Sequence, residues 1–207
     1  MGDQGTADFD VVVLAGGTAR RFGGADKVLL PVAGRPMLER VIGAGAAART
    51  VVVVGPQRPL PTGAPTVRWT RERPADSGPL AAVAAGLELC GSAIVVILAG
   101  DMPLLDSTVV RQLVQAAREA SDVDGAVLGD AEGRRQLLAG AYVRDSLRRA
   151  LAAIGDPRDL PMRLLLDELR LATVRDPRAA LDCDTPENLA RADEMATNPL
   201  SAPRRWE

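Results

Sequence analysis

The sequence predicts an α/β fold, a single domain built on a mostly parallel sheet. Three observations carry this. Thr50-Val51-Val52-Val53-Val54 and Ile94-Val95-Val96-Ile97-Leu98 are continuous runs rich in β-branched residues, the pattern of strands buried on both faces. Segments with helical spacing of apolar residues alternate with strand-like runs through most of the chain, which is the element order of layered α/β domains. A further apolar run, Phe9 to Leu14, leads straight into a glycine-rich segment, as a buried strand does where it opens into a loop.

The totals agree with one domain and exclude several chemistries. A length of 207 residues favours a single domain. Apolar residues make up 47% and aromatics only 2%, so the core is built from Ala, Val and Leu. A net charge of −2 argues against a broad nucleic-acid footprint. The absence of histidine removes Ser-His-Asp triads, Cys-His pairs and histidine metal sites together. Cys90 and Cys183 form no C-x-x-C pair and imply no disulfide framework; reduced thiols in a cytoplasm fit best. No apolar run reaches the roughly 18 residues of a membrane span. Residues 1–8 carry Asp3 and Asp8 and lack the basic start of a signal peptide.

In order, residues 1–8 are expected to be a flexible N-terminus, 9–196 the domain and 197–207 a flexible tail. The first strand and glycine-rich loop precede Val28-Leu29-Leu30-Pro31-Val32 and a turn at Gly34-Arg35-Pro36. A helix starts near Pro36, with Met37, Leu38, Val41 and Ile42 on one face. Gly55-Pro56 ends the strand at 50–54, and 56–66, with four prolines and one glycine, is a loop. Val67 to Thr70 is a short strand. Gly78-Pro79-Leu80 opens an alanine-rich helix running to about Leu89. The strand at 94–98 ends in Ala99-Gly100-Asp101-Met102-Pro103. Asp106 to Ala120 is a helix capped by Asp106 or Ser107, with Val109, Val110, Leu113 and Val114 inward. Residues 125–128 and the stretch from Arg134 to Tyr142 form a hairpin about a turn at 130–133. Helices follow at Arg144–Ile154 and Leu160–Leu169, then a strand at Leu171–Val174. Thr185 caps a last helix, with Pro186 at its first position and Glu187 complementing its dipole.

The stretch from Leu14 to Lys27 carries the chemistry. Its glycines let backbone N–H groups close on an anion, because no Cβ blocks the approach. Arg20, Arg21 and Lys27 add up to three cations, and a triphosphate carries the complementary charge. A P-loop needs Gly-Lys-Ser/Thr, but Asp26 precedes Lys27 and Val28 follows. No glycine spacing supplies the G-x-G-x-x-G of dinucleotide sites. In a parallel sheet the strand tips share one edge, so Asp101 is expected beside this loop, where a carboxylate can hold Mg2+ against phosphates. The plainer readings are a strand-to-helix turn with surface arginines, and an aspartate capping the next turn.

The string L-A-G-G-x-x-x-R-x-G-G-x-D-K, from Leu14 to Lys27, resembles the signature of the nucleotidyltransferase superfamily. Its double glycine and Asp-Lys ending look most like the molybdenum cofactor guanylyltransferases. Similar features follow: the G-x-P turn after Lys27, G-P-L at 78–80, G-D-x-P around Asp101, a stretch at 134–142 like Q-P-L-x-x-x-Y, and Asp182 to Glu187 in place of N-x-N-T-P-E. Together they cover roughly residues 9 to 195.

The resemblance implies a three-layer, Rossmann-like domain of the nucleotide-diphospho-sugar transferase type. It implies transfer of GMP from GTP to the terminal phosphate of molybdopterin, with Mg2+ as cofactor and molybdoenzyme-maturation proteins as partners. Lys27, Arg21 and Asp101 would be catalytic, Asp101 being the metal ligand. Leu14 would line the base pocket; the amides near Ala15, Gly16 and Gly17, with Arg20, would hold phosphates. Gly55, Glu72 (with Asp76 behind it), Gly78, Pro79 and Leu80 complete the nucleotide set. Arg134, Arg135, Gln136, Asp182 and Asp184 would face the acceptor. Family members often carry a base-reading asparagine where Gly55 stands, so the choice between GTP and CTP stays open. Transfer to another phosphorylated acceptor, or nucleotide binding without catalysis, would use the same loop.

Overall fold

The computed structural model describes residues 7–16, 26–119 and 122–198. Most of the two ends expected to be flexible therefore lies outside the described residues. Strand β1 (Ala7–Leu14) comes first; after a 3-10 turn at Lys27–Leu29 the chain makes a two-stranded ribbon, β2 (Pro31–Val32) and β3 (Arg35–Pro36), then helix α1 (Met37–Ala44). It continues through β4 (Ala48–Val54), β5 (Val67–Thr70), α2 (Gly78–Leu87), β6 (Ile94–Ala99) and α3 (Ser107–Glu119). The last part comprises β7 (Gly125–Gly129), β8 (Arg135–Val143), α4 (Arg144–Ile154), a 3-10 turn at Met162–Leu164, α5 (Leu165–Glu168), β9 (Leu171–Arg175) and α6 (Pro186–Thr197).

Seven strands form one sheet in the order β5-β4-β1-β6-β8-β7-β9. All run parallel except β8, which is antiparallel to both neighbours. The exception has a local cause. β7 and β8 are a hairpin, and the Asp130 carboxylate accepts from the Glu132 and Arg134 amides to make its turn, with Gly133 at φ +79°.

The continuous valine runs are explained by two buried faces. Val11, Val13, Val51, Val53, Val96 and Leu98 pack with Leu38, Val41 and Ile42 of α1 and with Val109, Val110 and Leu113 of α3. Val12, Val52, Val54, Val95 and Ile97 pack on the other side with Leu80, Val83 and Leu87 of α2 and with Leu147 and Ala150 of α4. Successive strand residues thus serve opposite layers, and each fully buried valine contributes roughly 1.5–3 kcal/mol of transfer free energy.

One charge stands inside these runs. Asp10 is fully buried, and its Oδ2 accepts the Gly91 and Ser92 amides at 2.7 Å each, with the Arg49 guanidinium at 3.4 Å. Burial pushes its pKa up, but the Ser92 and Gly91 amides and then Arg49 outweigh that, and the net direction is down.

Several expected boundaries shift. The helix expected over 160–169 is a 3-10 turn followed by one α-turn, since Pro161 gives up a backbone donor and burial of Met162 and Leu165 sets the path. Asp106, not Ser107, caps α3, accepting from the Thr108 and Val109 amides at 2.8 and 3.0 Å. The β2–β3 ribbon is an addition to the expected elements; its Val32 joins a small core cluster with Met37 of α1, Leu104, Cys183 and Ala192 of α6. Among the described residues, no helix is long and apolar enough to cross a membrane.

Candidate active site

The chain leaves β1 toward β4 and β5 on one side, then returns to place β6 on the other side of β1. Loops leaving β1 and β6 therefore part from one another, and a crevice opens between their C-terminal ends. Two glycines let the backbone close up beneath it. Gly100 donates its N–H to the Leu14 carbonyl at 2.8 Å, and a Cβ there would lie 2.9 Å from that oxygen. Gly55, at φ +148°, lets the exit of β4 press on β1; a Cβ there would lie 2.6 Å from the Ala15 carbonyl oxygen. The resulting cleft has a volume of about 610 Å³.

Lys27 stands at the centre. Its Nζ donates to Asp101 Oδ2 at 2.6 Å and also to Asp184 Oδ1. The Lys27 side chain is 16% exposed. Burial pulls its pKa down, yet Asp101 and then Asp184 outweigh this and the net direction is up, so the ammonium stays charged. A backbone bond brings the third member in: the Cys183 amide donates to the Asp101 carbonyl at 3.0 Å, and Thr185 caps α6 by accepting from the Asn188 amide.

Leu14, Gly16, Lys27, Glu72, Gly78, Pro79 and Asp101, all expected to hold the nucleotide, line this one cleft. Asp26, Val28, Asp76, Ala82, Ala99 and Leu138 complete much of the wall. A Cβ on Gly16 would meet nothing within 4 Å among the described residues. Glu72 is buried and accepts the Asp76 amide at 2.8 Å through Oε1. Gly17, Arg20 and Arg21 lie outside the described residues.

Three residues of the expected nucleotide set stand apart from the cleft lining. The Ala15 amide donates to the Val54 carbonyl at 2.8 Å, so the sheet takes the hydrogen atom a phosphate would need. Leu80 is fully buried between α2 and the sheet. Gly55 is buried and lines no cleft wall; its part is the close approach to Ala15.

The expected acceptor set is divided. Arg134, Gln136 and Asp182 share a second cleft of about 520 Å³ with Asn188 and Arg191. Arg134 is already ion-paired there with Asp130 at 2.7 Å and Glu132 at 3.1 Å. Burial, then Asp184 and Asp101, raise the pKa of Asp182. Asp184 belongs to the first cleft, because its carboxylate turns to Lys27. Arg135 is exposed and lines neither cleft, its backbone being held in register with Gly129.

Hard carboxylate oxygens from Asp101 and Asp184 converging on one point suit Mg2+. Among the described residues no cluster of three or more such ligands exists. A magnesium ion there would complete its shell with phosphate oxygens and water, as this ion does.

Sequence reasoning missed Arg58. It is buried, and its Nε and Nη2 grip the Asp26 carboxylate at 2.6 and 3.0 Å while Nη1 donates to the Pro56 carbonyl at 3.0 Å. It sits in the proline-rich loop, and no spacing in the sequence links it to Asp26.

A cleft at the switch point of a mostly parallel sheet, holding a half-buried lysine and two carboxylates, defines the class as an α/β domain with its ligand crevice at the strand tips. A family model for the MobA-like NTP transferase domain matches residues 11–174. The chain belongs to the MobA-like NTP transferase family. It is 38% identical over 135 residues to a molybdenum cofactor guanylyltransferase of Cupriavidus metallidurans, covering 62% of this chain and 65% of that one. A molybdenum cofactor guanylyltransferase of Shewanella amazonensis is 28% identical over 193 residues, covering 91% of this chain and 97% of that one. The crystal structure of a molybdopterin-guanine dinucleotide biosynthesis protein A from Archaeoglobus fulgidus matches the fold with a TM-score of 0.67 at 21% identity, over 91% of this chain and 98% of that one.

Proposed function

We propose that the protein transfers GMP from GTP to the terminal phosphate of molybdopterin, releasing pyrophosphate in a Mg2+-dependent reaction. The observation that carries this is the meeting of the Lys27 ammonium and the Asp101 carboxylate at 2.6 Å in the switch-point cleft. An acceptor phosphate oxygen forms a bond to the α-phosphorus as the bond from that phosphorus to the β-phosphate oxygen breaks. Such transfer asks for positioning and charge neutralisation rather than covalent help from the protein.

The parts fit these tasks. Leu14, Gly78 and Pro79 offer an apolar and backbone wall to the base. Gly16, which lines the cleft, and Gly17, Arg20 and Arg21 after it in the sequence would receive the phosphates. Asp101, joined by Asp184, would hold Mg2+. That ion would neutralise charge on the phosphate oxygens. Lys27, charged and held at the cleft by Asp101 and Asp184, would stabilise the charge building on the leaving pyrophosphate. The second cleft, with Arg134, Gln136 and Asp182, takes the acceptor. A cytoplasmic setting suits the two free, buried thiols, with the product passing to molybdoenzyme-maturation proteins.

The test is pyrophosphate release from each nucleoside triphosphate, with and without molybdopterin and Mg2+. Release with GTP, molybdopterin and Mg2+ together is expected. Activity with CTP but not GTP would overturn the guanylyl assignment, which Gly55 leaves without a base-reading side chain at that position. Absence of pyrophosphate release with every triphosphate and acceptor tested would overturn nucleotidyl transfer itself.

A further inference from the structure

We infer that Arg58 is a positioning residue for Lys27, acting through a fork on Asp26, and that the exit of β4 is the part of the fold that sets the aim of the lysine; this deepens the nucleotidyl-transfer reading and rests on it.

The geometry is that of a fixed clamp. Asp26 immediately precedes Lys27, and both line the first cleft. Arg58 Nε and Nη2 hold the two oxygens of Asp26 at 2.6 and 3.0 Å. Two parallel charge-assisted bonds fix direction as well as distance. The remaining Nη1 donates to the Pro56 carbonyl at 3.0 Å, so the guanidinium is tied to its own loop and cannot swing freely. The Arg58 side chain is 7% exposed, which limits screening by water. It does not line the cleft and therefore acts through Asp26 rather than on a ligand.

The same short segment holds the other rim of the site. Gly55 sits against the Ala15 carbonyl and the Gly16 amide, and the Gly55 amide donates to the Thr70 carbonyl at 3.0 Å. Residues 55–58 thus press on the end of β1 with one residue and grip the residue before Lys27 with another. Four consecutive positions set the spacing between the Gly16 backbone and the Lys27 side chain. A phosphate chain reaching both would depend on that spacing.

The experiment compares Arg58→Met, Arg58→Lys and Asp26→Asn with the parent protein. The first readout needs no activity: tryptic cleavage after Lys27 in the nucleotide-free protein, followed by the mass of the fragment starting at Val28. Losing the fork should speed this cleavage about tenfold or more. The second readout is kinetic. Arg58→Met should lower kcat by about 10–100-fold, the scale of a misplaced catalytic group, with a smaller change in KM for the nucleotide. Arg58→Lys should fall between, because an ammonium cannot span the fork. In a Lys27→Ala background, Arg58→Met should add less than about a threefold further loss, since a residue acting through Lys27 has nothing left to position. Losses that multiply, kcat within twofold of the parent, or unchanged cleavage after Lys27 would each overturn the inference. Should Arg58→Met fail to fold, Asp26→Asn breaks the same fork from the exposed side and decides in its place. A parent protein that releases no pyrophosphate refutes nucleotidyl transfer alone, and the cleavage rate then decides the role of Arg58.

Discussion

Replacing Asp10 by alanine removes the acceptor that closes the turn before β6. Two amides lose their partner, and they are not equivalent. Ser92 is buried, so its N–H is left without water; Gly91 is exposed and can be rehydrated. A buried unsatisfied donor costs about 1–3 kcal/mol and a hydrated one much less. Arg49 is half exposed at 3.4 Å and adds little. The sum is a loss of about 1–3.5 kcal/mol, a fall in Tm of roughly 3–14 °C for a chain of this size. Asp10→Asn keeps an oxygen facing both amides but gives up the charge, and should cost about half as much, as neutral hydrogen bonds do beside charge-assisted ones.

The pH dependence separates the two variants further. The native Asp10 pKa lies below the ordinary 3.8. Its contribution is therefore complete above 3.8 and disappears as the pH drops through the lower native value. Urea unfolding followed at pH 7 and at steps down to pH 3 measures both effects. Parent and Asp10→Ala should converge at the acid end, while activity per folded molecule at pH 7 stays near the parent value. An Asp10→Ala protein within about 0.5 kcal/mol of the parent at pH 7, or a gap that widens toward acid, would refute the reasoning.

Three further outcomes are expected. Asp101→Ala and Lys27→Ala should each lower pyrophosphate release by on the order of 10² or more, and near-parental Mg2+-dependent turnover in Asp101→Ala would remove it from the mechanism. Gly55→Ala brings a methyl group to 2.6 Å from the Ala15 carbonyl oxygen at φ +148°; a stability loss of about 1–3 kcal/mol, read by urea unfolding, is expected together with a higher KM for the nucleotide. Burial pushes the thiols of Cys90 and Cys183 up to about 12, so neither should react with a disulfide reagent at pH 8 until urea unfolds the chain; rapid labelling of the native protein would contradict their placement.

The sheet was legible because its signal is local. A run such as Val51–Val54 has no polar face, and only a strand covered on both sides suits it. The antiparallel β8 was legible from the turn at 130–133, where Asp130 and Gly133 do what their positions suggest. That Lys27 and Asp101 share one edge also follows from strand direction. Contacts that depend on how distant loops lie were not legible. Asp184 reaches Lys27 only because the Cys183 amide bonds the Asp101 carbonyl, which no spacing encodes. Arg58 looked like one more charge among prolines, and the Asp26 it holds is 32 residues away. Within the G-P-L turn, Gly78 and Pro79 line the cleft while α2 turns Leu80 onto the core cluster of Val12 and Val54, a division that helix rotation sets and spacing does not.

The triad of Lys27, Asp101 and Asp184 has a consequence for biosynthesis of the protein itself. Its members come from near the start, the middle and near the end of the chain. A nascent polypeptide emerging from the ribosome can assemble β1, β4 and β6 well before residue 184 is translated. Until then Lys27 has one carboxylate partner instead of two, and the ribbon at 31–36 lacks the helix that covers it. The cleft accordingly takes its last carboxylate from the segment just before α6, far along the chain from the sheet that supports it.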